Sequence, residues 1–181
     1  MFPNWDNILF EWINLHHNPI LDHIMIFFSE KLVWIPLYLF IIFQILKSNP
    51  RENWKIIIYL LLVILLADQI CSSILKPWVA RLRPCHVAAF SNWIHLPNGC
   101  GGMYGFCSSH AANSFGLAAG IHYIFRNQKA TIIMLIWAFM VSYSRIYLGA
   151  HFPIDVLVGA GIGTSVASIL NFIYLTKIRR Y

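Results

Sequence analysis

Long apolar runs broken by clusters of charge and glycine make up most of the chain. About 20 apolar residues are needed to cross a hydrocarbon core of roughly 30 Å. Five runs approach or reach that length: Met25 to Leu46, Trp54 to Lys76, Ser109 to Phe125, Ala130 to Tyr147 and Pro153 to Thr176. The first carries Glu30 and Lys31 near its start and is expected to bend at Pro36, where the helical ladder loses a donor. Ahead of them, Ile8, Leu9, Trp12, Ile13 and His16 recur at helical spacing, which predicts a short helix lying on the membrane surface. Residues 77–108 hold Arg81, Arg83, His86, Asn92, Asn98 and several glycines. Irregular backbone cannot sit in lipid with its polar groups unpaired, so this stretch is expected to be a loop or lid outside the bilayer. The predicted fold is all-α: a polytopic membrane bundle of five transmembrane helices, or six, with an N-terminal interfacial helix.

Composition excludes a soluble alternative. Of 181 residues, 59% are hydrophobic and 11% charged, against about a quarter charged in soluble domains. Only lipid hides that much apolar surface in one small domain, and with no internal repeat the whole of 1–181 reads as a single domain. Asp6, Asn7, Glu11 and Asn14 interrupt the apolar residues of the first segment, which has no basic start, so no cleavable signal peptide is expected.

Charge sets the orientation. Lys47, Arg51, Lys55, Arg126, Lys129, Lys177, Arg179 and Arg180 fall on one face, which makes that face and the C-terminus cytoplasmic by the positive-inside rule. Lys31, Lys76, Arg81, Arg83 and Arg145 fall on the opposite face.

Polar groups converge on that outward face. Lys76 closes the second run, Arg83-Pro84 follows it, Ser108-Ser109-His110 opens the third, Ser144-Arg145 closes the fourth, and His151 and Asp155 flank the start of the fifth. Three fixed cations suit a phosphoryl group, whose charge is spread over its equatorial oxygens, and arginine binds such oxygens in pairs. Ser108 stands at a helix N-cap position, so the free amides of Ser109 and His110 offer an anion site. Asp155 follows His151 by four residues, with Pro153 at a first helical position, and its carboxylate is expected to fold back onto the imidazole and free the other ring nitrogen to attack phosphorus. His110 is placed to protonate the leaving group and then to deprotonate the hydrolytic water.

Blander readings compete with these. A single Lys or Arg at a span end is usually a snorkelling anchor, and only the shared face with two histidines raises Lys76 and Arg145 above that. Arg81 is read as a rim or headgroup contact, and His16, His17, His23, His86, His95 and His122 as fillers. Asp68 is read as a buried partner for Ser72 or Gln44, since about 12 Å of helix separates it from Lys76. Asp155 is the one obvious carboxylate near His110 and His151, which argues against a metal site. Cys71 is read as an inert core thiol. Cys85, Cys100 and Cys107 lie in or beside the outward loop, with Cys85–Cys100 the expected bridge and Cys100–Cys107 its rival.

Lys76 with Arg83-Pro84, the Ser108–His110 segment, and Ser144-Arg145 followed by His151 and Asp155 together resemble the three-part signature of the type 2 phosphatidic acid phosphatase superfamily. The resemblance covers Lys76 to Asp155 and implies a metal-independent phosphatase without a cofactor, with His110 as acid, His151 as nucleophile and Lys76, Arg83 and Arg145 as phosphate ligands. The second part departs from the family's usual Pro-Ser-Gly-His, reading Cys107-Ser108-Ser109-His110. Many bacterial members have six spans, and an N-terminal one is not evident here. The implied setting is a bacterial inner membrane with the active site outside, and the implied partners are the bilayer and a lipid phosphate, with no nucleic acid. Undecaprenyl diphosphate is favoured because Arg81, His86 and Asn92 could hold a second phosphate; phosphatidylglycerophosphate, phosphatidic acid and lipid A 1-phosphate are the alternatives. A vanadate haloperoxidase shares the constellation but is soluble, and a non-catalytic lipid carrier would have no need of a histidine paired with an acid.

Overall fold

The computed structural model describes residues 2–48 and 53–175, with side chains to residue 173. Arg51, Lys177, Arg179 and Arg180, and the end of the fifth apolar run, lie outside these residues. Every apolar run that is described is helical: α1 (Asn4–Leu15), α2 (Pro19–Ser29), α3 (Ile35–Ser48), α4 (Asn53–Gln69), α5 (Lys76–Val79), α6 (Ser109–Phe125), α7 (Gln128–Tyr147) and α8 (Pro153–Leu170). The side chains of Asn18, Ser108 and Asn127 accept from backbone amides at the starts of α2, α6 and α7, and proline opens α2 and α8 where a missing N–H costs nothing. α4 passes through a π-helical stretch, Ile70–Leu75, into α5, so one rod runs from Asn53 to Val79.

Asn53–Val79, Gln128–Tyr147 and Pro153–Ile173 are each long and apolar enough to cross a membrane. A fourth crossing is available to α2 and the Leu32–Ser48 helix together, which meet at 68°. The bend expected at Pro36 is found instead at Glu30 and Lys31. Pro36 is the second residue of α3, a position where no helical hydrogen bond is lost, whereas Glu30 leaves helical geometry and caps α2 with its own N–H.

α6 is the hub, packed against α4, α7 and α8. Its buried face is built from small residues, Ala111, Ala112, Ser114, Gly116, Ala118 and Gly120. Gly159 and Gly163 of α8 face it at four-residue spacing, a pattern that lets helix backbones approach closely in lipid. A Cβ on Gly163 would lie 1.9 Å from the carbonyl oxygen of Ala112, and one on Gly159 would lie 2.4 Å from that of Ser108. Gly163→Ala is therefore expected to cost about 1–3 kcal/mol through overpacking, seen as a lowered melting temperature in detergent. Gly161→Ala, where a Cβ meets nothing within 4 Å, is the control and should not lower it.

One core cluster lies deep in the bundle, around Tyr59, Val63, Leu117, Ile121, Met134 and Val141. A second joins α1 to the active-site end: Phe10 and Ile13 pack with Tyr147, Leu148 and Phe152, and with Phe90 and Trp93 of the loop. The apolar stripe read on α1 thus divides. Ile13 turns inward with Phe10, while Trp5, Ile8, Leu9 and Trp12 remain exposed. The flanks of the bundle expose Leu39, Phe43, Leu61, Ile133, Phe139 and Leu157, the surface that lipid would cover.

Candidate active site

The ends of α5, α6, α7 and α8 meet below the 80–107 loop. Lys76, carried by the end of the long rod, donates from Nζ to Ser109 Oγ at 2.9 Å, and Ser72 Oγ lies 2.8 Å from the same hydroxyl. Ser108 is fully buried: its amide donates to the Asp155 carbonyl at 2.9 Å, and its hydroxyl faces the Ala111 amide as a cap. Arg145, in the last turn of α7, donates to Ser29 Oγ, and its Nε is buried without a partner. Arg83 is held from behind, Nε donating to the Tyr104 carbonyl at 3.2 Å. A Cβ on Gly101 would come within 2.6 Å of the Arg83 guanidinium, so a side chain there would push that guanidinium out of its present place.

His151 is 2% exposed and sits in the turn between α7 and α8. Its Nδ1 is 3.6 Å from Asp155 Oδ2, longer than a hydrogen bond. Asp155 is itself fixed, Oδ2 accepting from the Phe152 amide at 3.0 Å and Oδ1 from Arg81 Nη1 at 2.8 Å. The acid thus stands beside the ring in a set position, and a small ring movement on substrate binding would close the gap. Burial, then the charges of Arg145, Arg83 and Lys76, hold the His151 imidazole well below its ordinary pKa, opposed by the backbone carbonyl of Gly105. That environment favours the neutral imidazole, the form in which a histidine can act as a nucleophile. His110 is surrounded by Arg145, His151, Lys31 and Lys76.

Arg81 is not at the rim. Its side chain is 8% exposed, sandwiched between the rings of Phe2 and Phe152 at 3.8 and 3.9 Å. One end of the guanidinium meets Asp155 and the other meets Asp6 Oδ2 at 2.5 Å, while Asp6 Oδ1 accepts from the Ile154 amide at 2.8 Å. Asp6, fully buried on α1, is thus joined to His151 through two residues, Arg81 and Asp155, and the sequence reading does not single it out. The signal for it was the spacing of Asp6, Phe10, Ile13 and Asn14, which marks the inward face of a helix. Lys31 and Ser29 were missed too, because the bend at Glu30 brings them to the site. Asp68 pairs with neither Ser72 nor Gln44; it accepts from Asn113 Nδ2 at 3.2 Å. His95, read as a filler, bonds Asp22 Oδ1 at 2.8 Å and stacks on His17.

Two cavities flank these residues. A polar one of about 150 Å³ lies under the loop between Arg83 and Arg145, with Asn98 and Gly101 on its wall. An apolar one of about 420 Å³ starts at Lys31, Ser109 and His110 and runs between α3, α4, α6 and α7.

Both cysteine pairs are closed. Cys85–Cys100 ties the loop across 15 residues, and Cys71–Cys107 joins the π-helical stretch to the residue before Ser108. Cys71 is therefore no lone thiol: the returning loop carries Cys107 down beside Ala67 and Ala112 to meet it. Cys85, His86 and Cys100 cluster closely enough to hold a metal, but a disulfide removes the thiolates that would bind one. Replacing Cys85 and Cys100 by alanine is expected to free about 3 kcal/mol of loop-closure entropy, read as faster proteolysis within residues 86–99 and a several-fold fall in kcat/KM.

The sequence profile of the PAP2 superfamily matches residues 57–179. The chain belongs to the PAP2 superfamily. It is 40% identical to the lipid A 4'-phosphatase of Bacteroides thetaiotaomicron over 87% of this chain and 72% of that protein. It is 36% identical to the lipid A 4'-phosphatase of Porphyromonas gingivalis over 96% of this chain and 74% of that one. Among solved structures, the crystal structure of Aquifex aeolicus LpxE superposes with a TM-score of 0.68 at 26% identity, covering 89% of this chain and 91% of that chain. As a PAP2 member with apolar crossing helices, the protein is a membrane lipid phosphatase. The PAP2 signature read in the sequence accounts for Lys76, Arg83, His110, Arg145, His151 and Asp155; Asp6, Arg81 and Lys31 are what the fold adds around them.

Proposed function

We propose that this phosphatase removes the 4'-phosphate of a lipid A on the outer side of the inner membrane. The observation that carries the chemistry is a buried His151 among three cations and beside a fixed carboxylate, surroundings that favour the neutral imidazole. Arg83 and Arg145 would grip the phosphate in the polar cavity, aided by Lys76, Ser109 and the amides at the start of α6. His151 attacks phosphorus as the bond to the sugar oxygen breaks, and His110 gives that oxygen its proton. His110 then takes a proton from water, which attacks the phosphohistidine and releases inorganic phosphate. Asp155 orients the His151 ring once the ring has moved the short distance onto it.

The substrate moves from the undecaprenyl diphosphate favoured in the sequence to lipid A, and to its 4' rather than its 1 position, for two reasons. The relatives at 40% and 36% identity are lipid A 4'-phosphatases. The case for a second phosphate leaned on Arg81, which is occupied by Asp6 and Asp155. The apolar cavity gives an acyl chain a side entrance. α6 would add a fifth crossing to the four, with α1 lying in the interface on Trp5, Ile8, Leu9 and Trp12. Lys47, Lys55, Arg126 and Lys129 at the end opposite the site support a cytoplasmic reading of that end.

Phosphate release by purified protein in EDTA, from lipid A bisphosphate, undecaprenyl diphosphate and phosphatidylglycerophosphate, tests this reading. The expected product keeps its 1-phosphate; faster release from undecaprenyl diphosphate would overturn the assignment. The cations also set the pH dependence. Removing Arg145 takes away a charge that lowers the His151 pKa, so the pKa rises and more of the ring is protonated in acid. The acid limb of kcat/KM is expected to move to higher pH in Arg145→Ala, beyond the general loss of binding.

A further inference from the structure

The apolar cavity holds two groups that a plain hydrocarbon tail does not need. Its walls are Tyr38, Ile41, Ile45, Leu60, Ile64 and Leu117, yet Asp68 and Asn113 also face it. An ionisable group at membrane depth is costly unless it has a task or a full set of partners. These two have less than a full set. Asn113 gives one N–H to Asp68 Oδ1, and among the described residues that is the carboxylate's one hydrogen bond. Asn113 Oδ1 is buried with no partner at all. Across the same cavity, the Trp137 indole N–H is likewise buried and unpaired. Were Asp68 and Asn113 simply a clamp between α4 and α6, their remaining valences would be met by protein or turned from the cavity.

We infer that Asp68 and Asn113 form a subsite for a hydroxyl group on the lipid chain, close to its head. This rests on the reading above that the chain enters this cavity. A hydroxyl can donate to Asn113 Oδ1 or to the free carboxylate oxygen and still accept a hydrogen bond, which an unsubstituted chain cannot. The depth specifies where along the chain it lies. Asn113 is three residues beyond His110 on α6, a rise of about 4.5 Å, and Asp68 is eight residues before Lys76 on the rod, about 12 Å at α-helical rise. One to two turns below the phosphate corresponds to the first few carbons of an acyl chain attached beside it, the position of a 3-hydroxyl. A buried polar site built for a hydroxyl discriminates against the analogue that lacks it, because its own groups are then left unpaired.

The test uses a matched pair of synthetic glucosamine 4-phosphate lipids whose acyl chains carry or lack the 3-hydroxyl. Binding to His151→Ala protein is read from tryptophan fluorescence, since Trp34 and Trp137 line the cavity, and turnover is read separately with the wild type. The hydroxylated lipid is expected to bind about tenfold more tightly, and Asn113→Leu and Asp68→Asn should each bring the ratio towards one. Equal binding of the pair by otherwise native protein, or a preference that survives both substitutions, would overturn the subsite. A binding preference without phosphate release from either lipid would sustain the subsite and sink the 4'-phosphate assignment instead.

Discussion

His151→Ala is expected to lower kcat by on the order of 10⁴-fold or more while leaving the dissociation constant for lipid within a few-fold of wild type. In the proposed mechanism His151 makes the bond that forms in the transition state, so its loss would remove the covalent route rather than a binding contact. Substrate grip is there assigned elsewhere, to Arg83 and Arg145 around the polar cavity and to the walls of the apolar one. Phosphohistidine trapping with a rapidly quenched labelled lipid checks the same point: label should remain on the wild type and be absent from the variant. A variant that retained a tenth of wild-type turnover would remove His151 from the role of nucleophile.

The second large effect is expected at Arg81, a residue the signature leaves out. Arg81→Met strands Asp6 and Asp155, both fully buried, without the cation they share. Breaking a buried ion pair from one side costs about 3–5 kcal/mol, so melting in detergent should fall steeply and kcat should fall with it as Asp155 loses its orientation. Arg81→Lys should recover little, because a single ammonium cannot bridge two carboxylates in opposite directions as the guanidinium fork does. Asp6→Asn should be milder, since Oδ1 can still accept from the Ile154 amide. Full activity and unchanged melting in Arg81→Met would show that the Asp6–Arg81–Asp155 chain is incidental to the site.

The legible part of this protein was the part written in short spacings. His151 and Asp155 lie four positions apart, Ser108 to His110 are consecutive, and apolar length announces the three helices, four with the bent pair, that are long enough to cross. What stayed hidden depends on distant segments meeting. Asp6 reaches Arg81 across 75 positions, and no periodicity announces a partner that far away. The helix around Cys71 makes it look like a lone thiol, whereas its pairing depends on where the loop returns. Residue type points to Pro36 for the bend, but a proline near a helix start breaks nothing, and the polar Glu30–Lys31 pair is the better marker. The bend at that pair also carries Lys31 to the mouth of the apolar cavity.

The π-helical stretch at Ile70–Leu75 fixes how the phosphate end of the long rod is counted. A π turn holds one residue more than an α turn, so the stretch takes up an extra residue and the helix beyond it keeps nearly the bearing of a regular rod one residue shorter. A residue added or removed in the regular turns beside it is not taken up in this way and swings one side against the other by about 100°, which would turn Lys76 from Ser109. The rod can therefore gain or lose residues at its Asn53 end with little effect at Lys76, whereas near the stretch its count of residues sets where that lysine points.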